Sequence, residues 1–332
     1  MNIAVDAMGG DYAPEVVVQG AIQASAESGI NITLVGDKGA ISEELARHGD
    51  MTRRINVHHC EEIISMEEPP LRAVRRKKDS SINIAFDLLC RGEAEAVVSA
   101  GNSGATMAAG ILTLGKIAHI ERPALACIIP GNQGSVVLID VGGNIDCRPL
   151  HILQFGIMAS AFAINCLGMK DPKVGLLNIG KEPGKGNEQA RLAYDLLQDS
   201  NLNFVGNVEG QDIFTGCVQI VVCDGFVGNV ALKLAEGMAL TVTRRMKEDM
   251  VSSLTNEEQS LIGDRFDGEY EKVLDYAKYG GVPILGINGV GIVCHGDSSA
   301  RAIKNAVIMA HDYTGRDLPD KIAVHLAGFR PG

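Results

Sequence analysis

Short loops rich in glycine and small polar residues follow several apolar segments of the chain, and their composition suits the binding of an anion. The segment 96–110 reads AVVSAGNSGATMAAG, so an apolar run ending at Ser99 leads through a glycine turn into a helix-forming stretch. A turn of this kind presents backbone N–H groups at a helix N-terminus, where phosphate and similar anions bind. The segment therefore predicts an anion site.

Four further loops share this design, since each has an aspartate or asparagine at the end of an apolar segment and a glycine shortly after it. The five loops together contribute Asp6, Gly9, Gly10, Asp11, Ser99, Gly101, Asn102, Ser103, Gly104, Asp140, Gly142, Gly143, Asn144, Asn178, Gly180, Asp224, Gly225, Gly228 and Asn229. Ligands bind beyond the carboxyl ends of strands in open α/β sheets, so we expect these loops to converge on one sheet edge. We expect Asp6, Asp140 and Asp224 to orient loop amides rather than to contact the anion.

Other catalytic motifs fit the sequence poorly. The segment GKEPGKG at 180–186 is one residue short of a Walker A loop, and Gly186 stands where Ser or Thr would hold Mg²⁺. No G-x-G-x-x-G fingerprint of a Rossmann dehydrogenase follows the first strand, and no G-x-S-x-G elbow is present. The adjacent Cys294 and His295 cannot easily form a nucleophile–base pair. A reaction in which the bound anion is itself the nucleophile explains this absence.

The elements that must position these loops alternate along the chain. Strands are predicted over 3–6, 32–35, 55–59, 96–100, 125–129, 136–140, 174–178 and 220–224, with two short strands in 283–296. Helices are predicted up to about 28, over 149–167 and 188–199, from about 229, and over 298–312. Because continuous apolar strands are buried on both faces, we predict an α/β fold with a largely parallel sheet covered by helices on both faces.

The region 237–280 differs from the rest, because it is charged, helical in pattern and free of strand signals. We predict a single domain over 1–332 with a helical protrusion at approximately 237–280. Within it, 237–262 carries an apolar stripe beside Arg244, Arg245 and Lys247. Such a stripe is typical of a core or dimer interface, but it also suits peripheral contact with an anionic membrane.

Composition narrows the class of protein. The 332-residue chain has a net charge of −11 at pH 7, which argues against general nucleic-acid binding. Its eight cysteines lack C-x-x-C spacing and fit buried thiols in a reducing cytosol. The residues 58–60, HHC, lie on a predicted strand whose neighbouring side chains face opposite sides, so we expect no metal site. Without a leader-like or long apolar segment, we expect a cytoplasmic protein.

One basic segment departs from the acidic composition. The segment LRAVRRKKDSS, at 71–81, contains Arg72, Arg75, Arg76, Lys77 and Lys78. A run of charges is usually a solvated helix face. In an acidic protein, however, a concentrated basic patch also suits an acidic partner.

Six segments in chain order resemble the bacterial phosphate acyltransferase family. They are MNIAVDAMGGDYAP at the start, KKDSS at 77–81, VVSAGNSGA at 97–105, DVGGN at 140–144, NIGKEPGKGNE at 178–188 and CDGFVGNVALK at 223–233. The resemblance covers essentially the whole chain. One departure is Pro183-Gly184, where acidic or apolar residues are expected, and it leaves Lys185-Gly186-Asn187 in place.

The resemblance implies a fold similar to phosphotransacetylases and to the isocitrate/isopropylmalate dehydrogenase group. It implies direct attack of inorganic phosphate on the thioester of acyl carrier protein, giving acyl phosphate for phospholipid synthesis, without cofactor or metal. It also implies a homodimer and a membrane glycerol-phosphate acyltransferase that uses the product. Two alternatives stay open: a phosphotransacetylase acting on acyl-coenzyme A, and a non-catalytic phosphate- or lipid-binding protein.

The matched motifs also imply roles for individual residues. Lys185 is expected to pair with phosphate as a point charge, and Asn187 and Asn229 to donate to phosphate or to the oxyanion. Phosphate and acyl binding is expected from the loop residues named above, other than Gly143, Gly180 and Asn229, together with Ser80, Ser81, Thr106 and Gly186. The five cations of the basic segment are expected to dock the acidic carrier protein.

Overall fold

A computed structural model describes residues 1–252 and 280–328 of the chain, and eleven strands in these ranges form one sheet. In chain order the strands are β1 Asn2–Asp6, β2 Asn31–Gly36, β3 Ile55–His59, β4 Ala96–Ser99, β5 Ala124–Gly131, β6 Gly134–Ile139, β7 Val174–Leu177, β8 Phe204–Val208, β9 Ile220–Val222, β10 Val282–Leu285 and β11 Val290–Val293. The strands predicted from the apolar segments are all present. The strand β8 is an addition to the predicted set.

Helices alternate with these strands. In the described ranges they are α1 Glu15–Ser28, α2 Lys38–Ala46, α3 Pro70–Arg76, α4 Ser81–Cys90, α5 Ser103–Leu114, α6 Pro149–Leu167, α7 Glu188–Gln198, α8 Asp212–Thr215, α9 Gly225–Ser252, α10 Ala300–Thr314 and α11 Leu318–Ala327. Polar residues before the first turn set several starts, because the side chains of Asp37, Asn102, Asn187 and Ser299 each accept a backbone N–H.

The sheet consists of two parallel halves that run in opposite directions. Its strand order is β3-β2-β1-β4-β11-β10-β5-β6-β9-β7-β8. The first five strands are mutually parallel and form the first half, and the last four are mutually parallel and form the second half. Between them, β10 and β5 pair antiparallel with each other and with their outer neighbours.

This reversal corrects the expectation that all five strand-end loops share one sheet edge. The loops after β1 and β4 point one way along the sheet, and those after β6, β7 and β9 point the other way. The apolar pattern could not show this, because a buried antiparallel strand has the same continuous hydrophobic sequence as a buried parallel one. The predicted site therefore becomes two clusters.

Helices cover both faces of the sheet, as predicted. Alternate residues of β1 enter different cores: Val5 packs in a core with α1, α6 and α10, and Ala4 packs in a core with α4 and α5. The helix α6 is long and apolar enough to span a membrane by length and composition alone. Most of it is buried, because it is the central helix of the first of these cores.

The helix α9 carries the start of the predicted helical protrusion. It is described to Ser252, and residues 253–279 lie outside the described residues. So do the side chains of Lys247, Met250 and Val251, and with them most of the predicted apolar stripe. Over its first turns, α9 exposes apolar side chains at intervals of four residues, namely Phe226, Val230, Leu234 and Met238.

Candidate active site

Asp6 organises the loops at the carboxyl ends of β1 and β4. Its buried carboxylate accepts hydrogen bonds from the Met8 N–H at 3.2 Å and the Ser99 hydroxyl at 2.7 Å, and Ser81 also donates to it. Burial raises the pKa of Asp6 above 3.8, and these hydrogen bonds oppose that shift. Ser99 in turn accepts the Gly101 N–H at 3.0 Å. One carboxylate therefore sets the positions of three segments.

The glycine turn after β1 packs closely on neighbouring backbone. A Cβ on Gly9 would lie 2.6 Å from the Gly101 nitrogen, so a side chain does not fit there. Gly10 adopts a φ of +107°, which favours glycine. The Asp11 N–H then donates to the carbonyl of Gly296 at 2.8 Å. The turn thus joins the loops that follow β1, β4 and β11.

A small cavity beside Asp6 is lined partly by Ser81, Ser99 and Thr106, and its volume is about 10 Å³. A space of this size holds about one water molecule and is too small for phosphate. The neighbouring Ser80 hydroxyl is buried and has no hydrogen-bond partner among the described residues. Asp6, Ser81 and Ser99 therefore shape the loops, and a phosphate would have to bind outside their shell.

Asn102 begins α5, and its side chain is fully engaged. Its Oδ1 accepts a backbone N–H of the first turn at 3.1 Å, and its Nδ2 donates to the carbonyls of Met66 at 2.9 Å and Glu68 at 3.2 Å. Ser103 and Gly104 are exposed, and their backbone N–H groups have no acceptor in the described part of the chain. These two N–H groups, rather than the Asn102 side chain, are available to an anion.

Asp140 has the corresponding position after β6 in the second half. Its buried carboxylate accepts the backbone N–H groups of Leu125 at 3.0 Å, Gly143 at 3.0 Å and Asn144 at 2.6 Å, and the side-chain amide of Asn144 at 2.9 Å. Burial raises the pKa of Asp140, and these hydrogen bonds oppose the shift. The carboxylate therefore holds the DVGGN turn against the start of β5.

The start of α9 crosses this turn at very short range. The Gly225 N–H donates to the carbonyl of Asn144 at 2.7 Å. A Cβ on Gly228 would lie 1.8 Å from the carbonyl oxygen of Asp140, so only glycine fits at this crossing. The glycines of CDGFVGN are therefore explained by close packing of α9 on the DVGGN turn.

Asp224 and Asn229 have different positions at the start of α9. The Asp224 carboxylate accepts the Val227 N–H at 2.9 Å and so orients the first turn, which is the role expected of this aspartate from the sequence. Asn229 is exposed and lies beside Gly142, whose Cβ would be 3.6 Å from the Asn229 side chain. Its amide makes no hydrogen bond to the described residues.

Two asparagines fix the loop between β7 and α7. The Asn178 Nδ2 donates to the carbonyl of Lys185 at 3.0 Å and to the Oδ1 of Asn207 at 3.1 Å. Asn207 then donates to the carbonyl of Glu182 at 2.8 Å. At Gly186, with φ at +93°, a Cβ would lie 2.6 Å from the Asn178 oxygen. The Lys185-Gly186-Asn187 segment is therefore held in one conformation.

Lys185 and Asn187 differ in which of their side-chain groups are free to bind a ligand. The Lys185 side chain is exposed and forms no ion pair with the described residues. Asn187 caps α7, because its Oδ1 accepts the Ala190 N–H at 2.8 Å. The oxygen of Asn187 therefore serves the helix, and its amide nitrogen is the group that remains to donate.

Contacts of α5 and α7 relate these loops to one another. The helix α5 begins in the first cluster, and its Met107 Cε lies 2.6 Å from the Cβ position of Gly143 in the second. Gln189 of α7 donates to the carbonyl of Cys147, just beyond the DVGGN turn, at 2.7 Å. The structure thus brings the loops after β6, β7 and β9 together, and α5 connects them to the first cluster.

The basic segment divides into paired and solvent-facing cations. The Lys77 ammonium donates to the Glu68 carboxylate and to the Ile63 carbonyl, each at 2.6 Å, and Arg76 lies 3.4 Å from Glu68. The hydrogen bond from Lys77 lowers the pKa of Glu68. Lys78 is exposed. An open groove of about 680 Å³ lies on the outside of α3 and is lined by Pro69, Pro70, Leu71, Arg72, Arg75 and Arg76.

Four buried or partly buried thiols are unsuited to nucleophilic chemistry. Burial raises the pKa of Cys60, Cys127, Cys147 and Cys294 to about 12, so these groups are protonated at neutral pH. Across residues 1–252 and 280–328, no group of three His, Cys, Asp or Glu residues is placed to hold a metal ion.

Three polar residues in these clusters were not expected from the sequence to be site residues. Asn207 lies on β8, which carried no recognised strand signal. His295 lies two residues after the end of β11, and Lys233 lies on the first turns of α9. The two side chains are hydrogen-bonded to each other. The signal for His295 was its position at a strand end, next to the other loops of the first half.

Comparison with protein families extends over nearly the whole chain. A family model described as "Fatty acid synthesis protein" matches residues 1–321. A protein of Geobacter sulfurreducens named "Phosphate acyltransferase" is 50% identical over 97% of this chain and 93% of its own length. This identity is high enough, over both halves of the sheet, to establish common ancestry.

Solved structures with the same fold are much more distant in sequence. The EutD phosphotransacetylase of Staphylococcus aureus superposes with a TM-score of 0.61 at 15% identity, covering 95% of this chain and 94% of that one. A 4-hydroxythreonine-4-phosphate dehydrogenase of Klebsiella pneumoniae superposes with a TM-score of 0.54 at 13% identity, covering 95% and 99%. At these identities the likeness concerns the fold alone.

Proposed function

The chain belongs to the fatty acid synthesis protein family, which includes the phosphate acyltransferases, and from this membership we propose that it transfers a fatty acyl group from acyl carrier protein to inorganic phosphate. It is an acyltransferase with phosphate as the acceptor. The proposed product is an acyl phosphate for phospholipid synthesis. The observation that carries the proposal is the 50% identity to a phosphate acyltransferase over 97% of this chain.

The proposed reaction is a direct attack of phosphate on the thioester carbonyl. Phosphate is already an anionic nucleophile at neutral pH, so the protein need not supply a covalent intermediate. It must hold phosphate with one oxygen free and place the carbonyl carbon about 3–3.5 Å from it. It must also stabilise the oxyanion that forms. The buried or partly buried thiols are protonated and the loop N–H groups are available. Both observations are consistent with phosphate acting as the nucleophile while the protein binds the reactants and stabilises the oxyanion.

The individual residue roles are proposals on the same basis. The Lys185 ammonium pairs with phosphate, and the amides of Asn187 and Asn229 donate to phosphate or to the oxyanion. The exposure of Lys185 and Asn229 supports these roles, because both side chains are free to meet a ligand. The N–H groups of Ser103 and Gly104 supply further donors at the start of α5.

The carrier protein is proposed to dock on α3. Acyl carrier protein is acidic, and the groove beside α3 offers Arg72 and Arg75 together with apolar Leu71. Lys77 and Arg76 already pair with Glu68, so they contribute less to an external partner. We therefore assign the main docking charge to Arg72 and Arg75.

The chain is proposed to work as a cytoplasmic homodimer with peripheral membrane contact. The exposed apolar face of α9, from Phe226 to Met238, is a surface that a second copy would cover. An acyl phosphate is amphipathic, and a membrane glycerol-phosphate acyltransferase is its proposed consumer. Contact of the region 237–262 with the bilayer would shorten that transfer.

The domain organisation is proposed to be a single α/β unit over 1–332 with a helical protrusion at approximately 237–280. We relate this unit to the isocitrate/isopropylmalate dehydrogenase group. One continuous sheet through both halves, with helices on both faces, supports that assignment.

The test of function is phosphate-dependent release of free thiol from an acyl thioester. We expect turnover with acyl carrier protein as donor and much less with coenzyme A as donor. Lys185→Ala should lower kcat or raise the phosphate KM by about 10²-fold, because one charge-assisted contact is lost. Lys321→Ala, which removes an exposed lysine on α11, is the matched control and should leave both constants unchanged.

Each other result of this test identifies an alternative. Preference for the coenzyme A thioester would identify a phosphotransacetylase. Thiol release without phosphate would identify a thioesterase. Phosphate binding without thiol release from either donor would identify a non-catalytic binding protein. Unchanged phosphate kinetics in a folded Lys185→Ala protein would remove Lys185 from the site.

A further inference from the structure

A chain of short hydrogen bonds joins three side chains that the proposed reaction has not used. The Nζ of Lys233 lies 2.6 Å from the Nε2 of His295, and the Nδ1 of His295 lies 2.5 Å from the Oδ1 of Asp297. Glu236, on the next turn of α9, accepts a second hydrogen bond from Lys233 at 2.8 Å. Lys233, His295 and Asp297 are exposed, so a substrate can reach this group.

The backbone holds His295 rigidly among the loops of the first half. On one side of it, the Cys294 N–H donates to the carbonyl of Ser99 at 2.8 Å. On the other side, the carbonyl of Gly296 accepts the Asp11 N–H at 2.8 Å. His295 is therefore fixed next to the glycine loops that follow β1 and β4.

Lys233 belongs to the other cluster. It lies four residues after Asn229 on α9, so the two side chains share one face of the helix. Asn229 lies beside Gly142 in the DVGGN turn. The hydrogen bond between Lys233 and His295 consequently connects the second cluster to the first.

The hydrogen-bond pattern fixes the direction of donation. Because Asp297 accepts at Nδ1, the proton of the neutral His295 ring is on Nδ1, and Nε2 accepts from the Lys233 ammonium. An ammonium has three N–H groups. His295 and Glu236 accept two of them, and the third is left for a ligand.

We propose that Lys233 is the proton donor to the departing thiol in the acyl transfer proposed above, on which this inference rests, and that His295 and Asp297 are positioning residues for it. Attack of phosphate on a thioester must expel an alkyl thiolate, which is a more basic leaving group than the attacking phosphate. A nearby ammonium that transfers its proton as the bond breaks lowers that barrier. His295 and Glu236, which accept the other two N–H groups, orient Lys233 toward the reacting atoms.

The step balances without any further reactant. A bond forms between a phosphate oxygen of HPO₄²⁻ and the thioester carbon, and the bond from carbon to sulfur breaks with its electron pair going to sulfur. The sulfur takes a proton from Lys233. The hydroxyl proton of the phosphate, which becomes more acidic on acylation, returns to Lys233. The products are the acyl phosphate dianion and the free thiol.

The test compares two small thioesters of the same fatty acid, one of N-acetylcysteamine and one of thiophenol. An aryl thiolate is a good leaving group without protonation, whereas an alkyl thiolate is not. Lys233→Met should lower kcat for the alkyl thioester by about 10²-fold and for the aryl thioester by less than about tenfold. Lys233→Arg should behave like Lys233→Met, because a guanidinium keeps the charge but does not release its proton.

Substitution of the positioning residues should change kcat and the phosphate KM differently. His295→Ala should lower kcat for the alkyl thioester by about tenfold with little change in the phosphate KM. His295→Gln should recover most of that loss, because a glutamine oxygen can accept from Lys233. Two matched controls are Lys304→Met, which alters a lysine–glutamate pair between α10 and α1, and His311→Gln, which alters a histidine–aspartate pair on α10. Both should leave turnover of the two thioesters unaffected.

The outcomes separate this inference from the function on which it rests. If wild type releases no thiol from acyl carrier protein in the presence of phosphate, the proposed function fails. If wild type is active and Lys233→Met loses the same factor with both small thioesters, Lys233 is not the proton donor. Recovery of alkyl-thioester activity in Lys233→Arg would assign Lys233 to phosphate binding as a charge, which also overturns the proposal.

Discussion

Asp6 and Asp140 each hold a glycine-containing turn in place, in opposite halves of the sheet. They differ in the groups that donate hydrogen bonds to the carboxylate. Each is buried at the end of a strand, and each holds a glycine-containing turn by accepting hydrogen bonds. Asp6 receives the backbone N–H groups of Met8, at 3.2 Å, and Gly9, together with the hydroxyls of Ser99 and Ser81. Asp140 receives only N–H groups, from Leu125 and from the turn itself.

The difference matters because a hydroxyl can reverse its role and an amide N–H cannot. A serine hydroxyl carries one proton and two lone pairs, so it can donate to a carboxylate or accept from an amide. The donors around Asp6 can therefore adapt to a changed side chain at this position. The donors around Asp140 all require an acceptor, and we expect the second half to tolerate substitution of its aspartate less well.

The largest contrast is expected for the glycines that pack on each turn. In Gly228→Ala the new Cβ would lie 1.8 Å from a backbone oxygen, and in Gly9→Ala it would lie 2.6 Å from a backbone nitrogen. We expect Gly228→Ala to lower the free energy of unfolding by more than about 3 kcal/mol, and Gly9→Ala by about 1–3 kcal/mol. Urea titration followed by circular dichroism measures both.

Gly210→Ala is the control for this series. A Cβ there meets no atom within 4 Å, so the free energy of unfolding should change by less than about 1 kcal/mol. Equal losses for Gly228→Ala and Gly9→Ala would show that the two turns are equally tight, and the contrast between the halves would not hold at the level of packing.

The aspartates themselves give the next largest effect. Asp140→Asn places an NH₂ group among N–H donors and should lower the free energy of unfolding by about 3 kcal/mol. Asp6→Asn should cost only about 1 kcal/mol, because Ser99 can rotate its hydroxyl to accept from the new amide. The two variants are compared by the same denaturant titration. A greater loss for Asp6→Asn would reverse the ranking of the two sets of donors.

Much of the fold follows from the sequence, and the exceptions have physical causes. Continuous apolar strands such as Val136–Ile139 predict burial on both faces, and the helices on both faces are confirmed. The apolar pattern does not encode strand direction, so the antiparallel β5–β6 hairpin and the division of the site were not foreseen. The strand β8 was missed because Gly206 and Asn207 interrupt its apolar residues.

For the site, strand-end position was a better guide than side-chain chemistry. It led to Asp6, Asp140 and Asp224, and the expectation that these orient loop amides agrees with their hydrogen bonds. It did not show that the Asn102 side chain would be consumed by capping and by the carbonyls of 65–68. Pairings between distant segments, such as Lys233 with His295, depend on tertiary packing that one sequence does not reveal.

The smallest expected effect separates two adjacent serines beside the first cluster. The Ser80 hydroxyl is buried without a partner among the described residues, and Ser81 donates to Asp6. Ser80→Ala should raise the free energy of unfolding by about 1 kcal/mol, and Ser81→Ala should lower it by a similar amount. Thermal unfolding of the two variants beside wild type gives the comparison. A loss of stability in Ser80→Ala would mean that its hydroxyl has a bound water as partner.

The position of β11 has a consequence for the order in which the protein can fold during synthesis. The strand β11 completes the first half by pairing with β4, and α10 covers α1, yet both elements follow the entire second half in the chain. When β4 has left the ribosome, its outer edge therefore has no partner until the second half has also been made. An open strand edge is a template for wrong pairing, and contacts this distant in sequence form slowly. The nascent first half is accordingly the stage at which the edge of β4 is open to wrong pairing.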